Sequence, residues 1–193
     1  MSAATPKILI AEDEAIIRLD LKEMLEEEGL DVVGEAADGE AAVRLARERS
    51  PDLVIMDIKM PGMDGLAAAE RIIDEDLGAV LILTAFSQKD LVARAAEAGA
   101  MGYLVKPFQK SDLMPAIDVA LARHAEIAGI KAEAKTLTEQ LESRKVIDRA
   151  KGHLMDAQGL SEGDAFRLIQ KRAMDERRSM KAIAEEVLAN EPV

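Results

Sequence analysis

The chain has 193 residues, of which 49% are hydrophobic and only 2% aromatic, and its formal net charge at pH 7 is −12. This length predicts one full domain with a smaller one attached. The chain has no cysteine, which excludes disulfides and thiolate zinc sites, and no long uncharged apolar stretch of the kind that crosses a membrane. We therefore expect a soluble, cytoplasmic protein with an aliphatic core and no membrane partner.

Strand-like and helix-like patterns alternate through roughly the first 120 residues. The predicted strands are the apolar runs KILIA, DVVGEA, DLVIMD, AVLILTA and MGYLVKPF. Each is followed by a helical pattern, and these patterns are Ile16–Leu19–Leu21–Leu25, Gly39–Arg49, Gly65–Asp74, Gln88–Ala98 and a helix that Ser111 caps and that starts near Asp112. Because the connections are short and the two kinds of element alternate, the sequence predicts an α/β fold with a five-stranded doubly wound parallel sheet.

The helix after Ser111 is predicted to continue to about Met155, with Pro115 tolerated in its first turn. Five apolar residues in this stretch follow one another at steps of three and four, which is the spacing of a heptad seam: Ile127, Ile130, Ala134, Leu137 and Leu141. Lysine and glutamate occupy the other faces. We favour a coiled-coil linker over residues 123–143; the alternative is a helix that lies along its own domain.

The tail, residues 144–193, is predicted to form a small three-helix bundle. The first helix ends at Gly159, Ser161 and Asp164 resemble a capping box that opens the second, and Ser179 caps the third. The inward residues are predicted to be Ala165, Leu168, Ile169 and Ala173 on the second helix and Ile183, Ala184, Val187 and Leu188 on the third.

Charge is distributed unevenly between the two parts. Residues 1–123 contain 13 Lys and Arg against 24 Asp and Glu, whereas residues 144–181 contain 10 against 6. The acidic part would repel nucleic acid, and the mildly basic part could attract it. Ordinary solvated helix faces explain the same numbers equally well.

Polar side chains follow four of the predicted strands where the strands end. Glu12 and Asp13 follow the first strand, Asp57 ends the third, Thr84 ends the fourth, and Lys106 follows the fifth. The carboxyl ends of parallel strands meet at one edge of a sheet, so three carboxylates would crowd together and need a cation such as Mg²⁺. Such a pocket suits phosphoryl transfer to a carboxylate. Each residue taken singly has an ordinary structural explanation, and the interpretation depends on the whole set.

Residues 5–122 resemble the receiver domain of two-component response regulators. The resemblance is carried by Glu12-Asp13, the MDIKMPGMDG turn around Asp57, Thr84-Ala85 and YLVKPF. It implies a flavodoxin-like fold over residues 1–122 and phosphorylation of Asp57 by a histidine kinase. It also implies that Mg²⁺ is held by Asp13, by Asp57, by the backbone carbonyl of Lys59 and, through a water, by Glu12.

The resemblance further implies a switch. Lys106–Pro107 would be a cis peptide bond, the Thr84 hydroxyl would move toward the phosphate, and Tyr103 would rotate into the vacated space. The domain would assist only its own phosphoryl transfer and dephosphorylation, so we expect the protein not to be an enzyme in any other sense.

Residues 143–187 resemble the ANTAR domain of transcription antitermination regulators, through AKGHLM, GLSEGDAF and RAM followed by ERR. The resemblance implies binding of paired RNA stem-loops in leader transcripts. The small residues Ala150 and Gly152 would permit close approach, although plain helix packing also explains AKGHLM. The candidate RNA-binding residues are Arg144, Arg149, Lys151, Gly152, Arg172, Arg177 and Arg178.

These features together favour a response regulator in which phosphorylation promotes homodimers that bind RNA. A DNA-binding transcription factor is a second hypothesis, but Glu185 and Glu186 make the last helix a poor reader of the major groove. A protein-interaction adaptor is a third, and a metal-dependent hydrolase ranks lowest. The pattern is compatible with a monomeric or a dimeric resting protein.

Overall fold

The computed structural model describes residues 5–85 and 89–189, with the side chains of residues 89–92 excepted. Internal contacts divide the chain into a first unit, Met1–Ala128, and a second unit, Gly129–Val193. The division lies inside one long helix, which also contains both predicted domain boundaries, at 122 and 143. Those two boundaries stay predictions.

The first unit is built on a five-stranded parallel sheet, as predicted. Its strands are β1 (Lys7–Ala11), β2 (Asp31–Ala36), β3 (Leu53–Asp57), β4 (Ala79–Thr84) and β5 (Gly102–Val105), in the spatial order β2-β1-β3-β4-β5. All residues of β3 and β4 are buried, which explains why these two strands are continuous apolar runs rather than alternating ones. Strand order reverses direction between β1 and β3, and that is the place where doubly wound sheets bind ligands.

Helices cover both faces of this sheet. They are α1 (Ala15–Glu27), α2 (Gly39–Arg49), α3 (Gly65–Asp74), α4 (Lys89–Glu97) and the first part of α5 (Lys110–Gln158). One core cluster joins the sheet to α1 and α5, and the other joins it to α2, α3 and α4. Each predicted helix is confirmed to within a residue or two, except that Gln88 lies outside the described residues.

The predicted cap of α5 is wrong, although its start lies within two residues of the predicted one. The helix begins at Lys110, so Ser111 lies inside it and is not its cap. The side chain of Asp112 instead accepts a hydrogen bond from the backbone N–H of Gln109 at 3.0 Å, which satisfies a donor that the start of a helix leaves unpaired. Pro115 therefore lies in the second turn rather than the first.

The second unit contains the end of α5, α6 (Glu162–Glu176) and α7 (Met180–Ala189), which pack around a small aliphatic core. Ser161 caps α6 and Ser179 caps α7 through their side-chain oxygens. The capping box differs from the predicted one in a detail, because the carboxylate of Asp164 accepts a hydrogen bond from the hydroxyl of Ser161 at 2.6 Å. Leu168 was predicted to point inward and is exposed, because Ala165, Ile169 and Ala173 already form the buried stripe one turn apart.

The predicted heptad residues of the second unit lie on an unbroken helix, and Ile130, Leu137 and Leu141 are all exposed. Large apolar side chains at a/d spacing that remain exposed are typical of a helix that pairs with another one. Among the described residues, no helix combines the length and the apolar character needed to cross a lipid bilayer.

Candidate functional site

Asp57 is a buried acid at the carboxyl end of β3. Its Oδ1 lies 2.7 Å from Nζ of Lys106, and its Oδ2 accepts a hydrogen bond from the backbone N–H of Lys59 at 2.8 Å. Both carboxylate oxygens are therefore held in place, and each retains a further lone pair. The side chain points into the pocket at the sheet edge and not into the apolar interior.

Two more acids complete this cluster. Glu12 is fully buried and accepts a hydrogen bond from Nζ of Lys106 at 2.5 Å. One ammonium group thus bridges two buried carboxylates. Asp13 is exposed at the rim, and Glu12, Asp13 and Asp57 each offer an oxygen within 4.8 Å of the others.

The pKa shifts follow from this crowding. Burial raises the pKa of Glu12 above its usual value, the hydrogen bond from Lys106 opposes the rise, and the charge of Asp57 adds to it. For Lys106, burial lowers the pKa, but the hydrogen bonds to Asp57 and Glu12 outweigh burial, so the net pKa is raised. The ammonium therefore stays charged at neutral pH and offsets only part of the negative charge around it.

This donor set fits a hard divalent cation. Three carboxylate groups converge on one point, and a single lysine cannot neutralise all of them. Oxygen ligands, with water completing the shell, are what Mg²⁺ prefers. The residues that would hold it are Glu12, Asp13, Asp57 and the backbone carbonyl of Lys59.

A cavity of about 240 Å³ opens beside the acids. It is lined by Asp13, Glu14, Asp57, Ile58, Lys59, Thr84, Ala85 and Lys106. The sequence-predicted residues of four strand ends are thus brought together, since Glu12 contacts the same Lys106. Thr84 is buried and belongs to the lining of this cavity.

Tyr103 and Pro107 lie beside this cavity rather than in its lining. The Lys106–Pro107 peptide bond has the cis geometry that the resemblance implies. Tyr103 is 48% exposed on β5, where it pairs in register with Ile82. The conformation observed here is therefore the outward one, and its rotation toward Thr84 stays a prediction.

The turn after Asp57 depends on one glycine. The N–H of Gly65 donates to the carbonyl of Ile58 at 2.9 Å, and a Cβ at this position would lie 1.8 Å from the carbonyl oxygen of Asp57. Asp64, just before it, caps α3 by accepting from the N–H of Ala67 at 2.8 Å. The backbone of α3 therefore approaches the strand end so closely that only glycine fits.

Arg18 binds the backbone of the acidic loop that contains Glu12 and Asp13. This role was not predicted from the sequence. Its Nη1 donates to the backbone carbonyl of Glu12 at 2.5 Å and lies 3.5 Å from that of Asp13. Its Nε lies 3.5 Å from Glu35 on the adjacent strand β2. A signal was present in the sequence, because an arginine in the first turn of α1 faces back toward the loop that precedes the helix.

The pKa of Glu12 has a measurable consequence in the absence of Mg²⁺. A carboxyl group whose pKa is raised by folding contributes stability below its unfolded value, near 4.5, and that contribution is lost as pH rises through the folded pKa. We expect the free energy of unfolding of the wild type, relative to Glu12→Gln, to fall as pH rises from 4.5. Urea unfolding of both proteins in EDTA measures this, and a difference independent of pH would contradict it.

The raised pKa of Glu12 also predicts how the affinity for Mg²⁺ depends on pH. Because the cation favours the ionised carboxylates, Mg²⁺ should bind more tightly as pH rises through the same window and should displace a proton. Calorimetry in buffers of different ionisation enthalpy detects that proton. The Glu12→Gln variant should release fewer protons per bound Mg²⁺ than the wild type.

Three of the six candidate RNA-binding cations of the second unit lie in two ion-pair groups. Lys151 pairs with Asp148 and with Glu162, each at 2.8 Å. Arg172 and Arg178 both contact Glu176 and Glu186, which join α6 to α7. These cations therefore have structural partners.

The other three cations are more accessible. Arg144, Arg149 and Arg177 are exposed. Ala150 is fully buried in the bundle core, so packing explains that residue. Gly152 lies in mid-helix, and a Cβ built there would meet nothing within 4 Å. No packing contact in the described residues thus requires glycine at this position.

Two family models match the chain. The response regulator receiver domain matches residues 8–118, and the ANTAR domain matches residues 135–188. Receiver domains bind Mg²⁺ at their acidic pocket and partner with histidine kinases, and ANTAR domains bind RNA. The acidic cluster described above corresponds to such a pocket.

Relatives agree with both matches. Transcriptional regulatory protein PdtaR of Mycobacterium tuberculosis is 57% identical over 187 residues, covering 96% of this chain and 91% of its own length. A LuxR-family response regulator from Aurantimonas sp. is 35% identical with a TM-score of 0.59, covering 69% of this chain and 99% of that one. A chain of the CheX-CheY-BeF3-Mg+2 complex of Borrelia burgdorferi is 29% identical with a TM-score of 0.56, covering 57% and 85%. The chain therefore belongs to the two-component response regulators, with a receiver domain followed by an ANTAR output domain.

Proposed function

We propose that a histidine kinase phosphorylates Asp57 of this chain and that the phosphorylated protein binds RNA stem-loops and antiterminates transcription. The observation that carries the proposal is the contact of Lys106 with Asp57, at 2.7 Å, inside a cluster of three carboxylates. The similar chain from Borrelia burgdorferi belongs to a complex with BeF3 and Mg+2, which supports an equivalent chemistry here.

Phosphoryl transfer to Asp57 requires only a few functional groups of the protein. An oxygen of Asp57 forms the new P–O bond while the P–N bond of a phosphohistidine donor breaks, and the product is an acyl phosphate. A bound Mg²⁺ would neutralise charge on the phosphoryl oxygens. Lys106, in contact with Asp57, would neutralise further charge, and the Lys59 N–H orients the attacking carboxylate. Outside this self-directed chemistry, the proposal assigns the protein no catalytic activity.

An exposed apolar surface on α1 supports docking of a kinase. Ile16 is 84% exposed and Leu19 is also exposed, and both belong to the first two turns after the acidic loop. Beside Lys106, a groove of about 370 Å³ is lined in part by Ile17, Pro107 and Phe108. Because Asp57 is buried at the pocket floor, a donor histidine must be held firmly against this rim.

The exposed heptad residues support homodimerisation. Ile130, Leu137 and Leu141 would lose their contact with water if two copies of α5 paired as a coiled coil. We propose that phosphorylation favours this pairing, which would present two ANTAR domains to two RNA hairpins. Two linked contacts strengthen binding beyond either alone.

The charges of α7 argue against this helix as a reader of the major groove of duplex DNA. Glu186 neutralises both Arg172 and Arg178, and Glu185 is exposed on the same helix. If α7 entered the major groove as a recognition helix, these carboxylates would be repelled by the phosphates of the DNA.

Titration of nucleic acids tests the proposal. With beryllofluoride and Mg²⁺, the wild type should bind a tandem-hairpin RNA more tightly than duplex DNA of equal length, and the affinity should fall steeply as salt rises. A clear preference for duplex DNA would support the transcription-factor alternative. An affinity for either that does not depend on salt would favour the protein adaptor.

Two glycines of α5 provide matched variants for that titration. Gly129 and Gly152 both lie in mid-helix with open space around the missing Cβ. Alanine should therefore stabilise the helix by about 0.5–1 kcal/mol at either position. We expect Gly152→Ala to weaken RNA binding while Gly129→Ala leaves it unchanged, because only Gly152 lies in the ANTAR motif. Equal RNA affinities of the two variants would remove Gly152 from the interface.

A further inference from the structure

Phe166 is the only aromatic residue of the sequence between 129 and 193, and the bundle core does not use it. Its side chain is 41% exposed, whereas its neighbours Ala165 and Ile169 on α6 are fully buried. Exposing a large aromatic ring is unfavourable. Core packing therefore gives no reason for phenylalanine at this position.

The ring borders a groove of about 630 Å³ in the second unit. Four turns of α5 form the rest of the lining, which consists of Thr136, Glu139, Gln140, Ser143, Arg144, Ile147, Asp148 and Lys151. This volume is within the roughly 300–1,000 Å³ range of clefts that hold small ligands.

The groove combines one small apolar surface with a polar edge, two cations (Arg144 and Lys151) and two carboxylates (Glu139 and Asp148). Phe166 and Ile147 are its large apolar members. Gln140 offers donors and an acceptor, and the hydroxyl of Ser143 donates to the Glu139 carbonyl at 2.8 Å while keeping its own lone pairs. A partner helix would need a continuous apolar stripe, which two separate side chains do not provide.

Arg144 is the cation that is able to turn toward a ligand. It is 83% exposed, and its Nε lies 4.0 Å from Asp148, which is too far for a strong hydrogen bond. Lys151, by contrast, keeps Asp148 and Glu162 as partners at 2.8 Å. A phosphate could therefore bind Arg144 without breaking the ion pairs that join α5 to α6.

We propose that this groove binds an unpaired nucleotide from the loop of an RNA hairpin. The base stacks on Phe166, its polar edge meets Gln140 and Ser143, and its phosphate contacts Arg144. The inference rests on the proposed RNA-binding function and adds the groove and the residues that receive the nucleotide. Bases in a paired stem present no free face for stacking, whereas loop bases do.

Fluorescence and affinity of hairpin RNA test the inference. Hairpins with 2-aminopurine at successive loop positions are titrated with the beryllofluoride-activated full chain. We expect quenching at one position, and Phe166→Leu should remove that quenching and weaken hairpin binding about 5- to 100-fold. Phe166→Trp should retain both, which guards against a folding defect of the leucine variant. Leu168→Met, on an exposed apolar residue of α6 outside the groove and outside the ANTAR motifs, should change neither.

Each contrary result has a separate meaning. If the wild type binds hairpins and Phe166→Leu binds them equally well, the groove inference is wrong and the proposed function stands. If Phe166→Leu weakens a fully paired RNA to the same extent, the effect does not come from an unpaired base and the inference is wrong. If Phe166→Leu instead dissociates an RNA-free dimer in sedimentation, the groove holds a second copy of the chain. If the wild type binds no hairpin, the proposed function fails and the inference fails with it.

Discussion

Replacing Asp57 with asparagine will abolish phosphate incorporation into this protein from acetyl phosphate or from a histidine kinase. The amide has no anionic oxygen to attack phosphorus. The fold should persist, because the amide oxygen can still accept the N–H of Lys59, and Lys106 keeps its contact with Glu12. Removing one of two neighbouring negative charges should also relieve repulsion in the buried cluster.

Radiolabel transfer measures this loss, with thermal unfolding as the check on folding. Asp64→Asn is the matched control, because Asp64 lies in the same turn but caps α3, a role that asparagine fills well. We expect normal labelling of that variant. Labelling of Asp57→Asn at the wild-type level would show that phosphate goes elsewhere, and the proposed switch would then lose its chemical basis.

The same substitution separates the switch from the output domain. Asp57→Asn should bind hairpin RNA at the basal affinity of the unphosphorylated wild type and should gain nothing from a phosphodonor. An increase in its RNA affinity on addition of acetyl phosphate would mean that the phosphodonor acts on RNA binding by another route.

Gly65→Ala is expected both to destabilise the first unit and to reduce phosphorylation of Asp57. The added Cβ would lie 1.8 Å from the carbonyl oxygen of Asp57, and a backbone atom cannot turn away as a side chain can. Overpacking of this kind costs about 1–3 kcal/mol or more, which corresponds to a fall in Tm of roughly 2–12 °C for a chain of this size. The movement would also shift Asp57 relative to Lys59, so labelling should fall.

Gly62→Ala is the control in the same turn. Gly62 has a positive φ of 74° but no atom within 4 Å of a built Cβ, so alanine there meets backbone strain without a collision. We expect Gly62→Ala to lose about 1 kcal/mol and to remain labelled. Equal Tm values for the two variants would mean that the close approach of α3 to Asp57 has no effect on stability.

Most of the fold could be predicted because local signals and the fold agree. Buried parallel strands require unbroken apolar runs, and LVIM before Asp57 is such a run. The starts of α6 and α7 followed from the capping side chains of Ser161 and Ser179. The pocket could also be anticipated, since parallel strands bring their carboxyl ends to one edge. Predicting the pocket therefore required only the positions of the strands along the chain and the residue at the carboxyl end of each strand.

The predictions that failed concern details that depend on three-dimensional geometry rather than on residue type. Ser111 has the chemistry of a cap, but Asp112 performs that role from inside the helix. Leu168 has the hydrophobicity of a core residue, but a narrow stripe of alanine and isoleucine leaves it at the edge. Arg18 was overlooked because its partners are carbonyl groups, which no side-chain pattern reveals.

The sequence by itself determined the order of elements, the acids at the sheet edge and the two families to which the parts belong. Those properties depend on side-chain periodicity and on residue types at strand ends, both of which are local. Only the tertiary structure decided that Lys106 bridges Glu12 and Asp57, that Lys151, Arg172 and Arg178 have carboxylate partners, and that Phe166 borders a groove. The physical reason is that ion pairing and exposure depend on which surfaces meet, and that is set by the packing of whole helices.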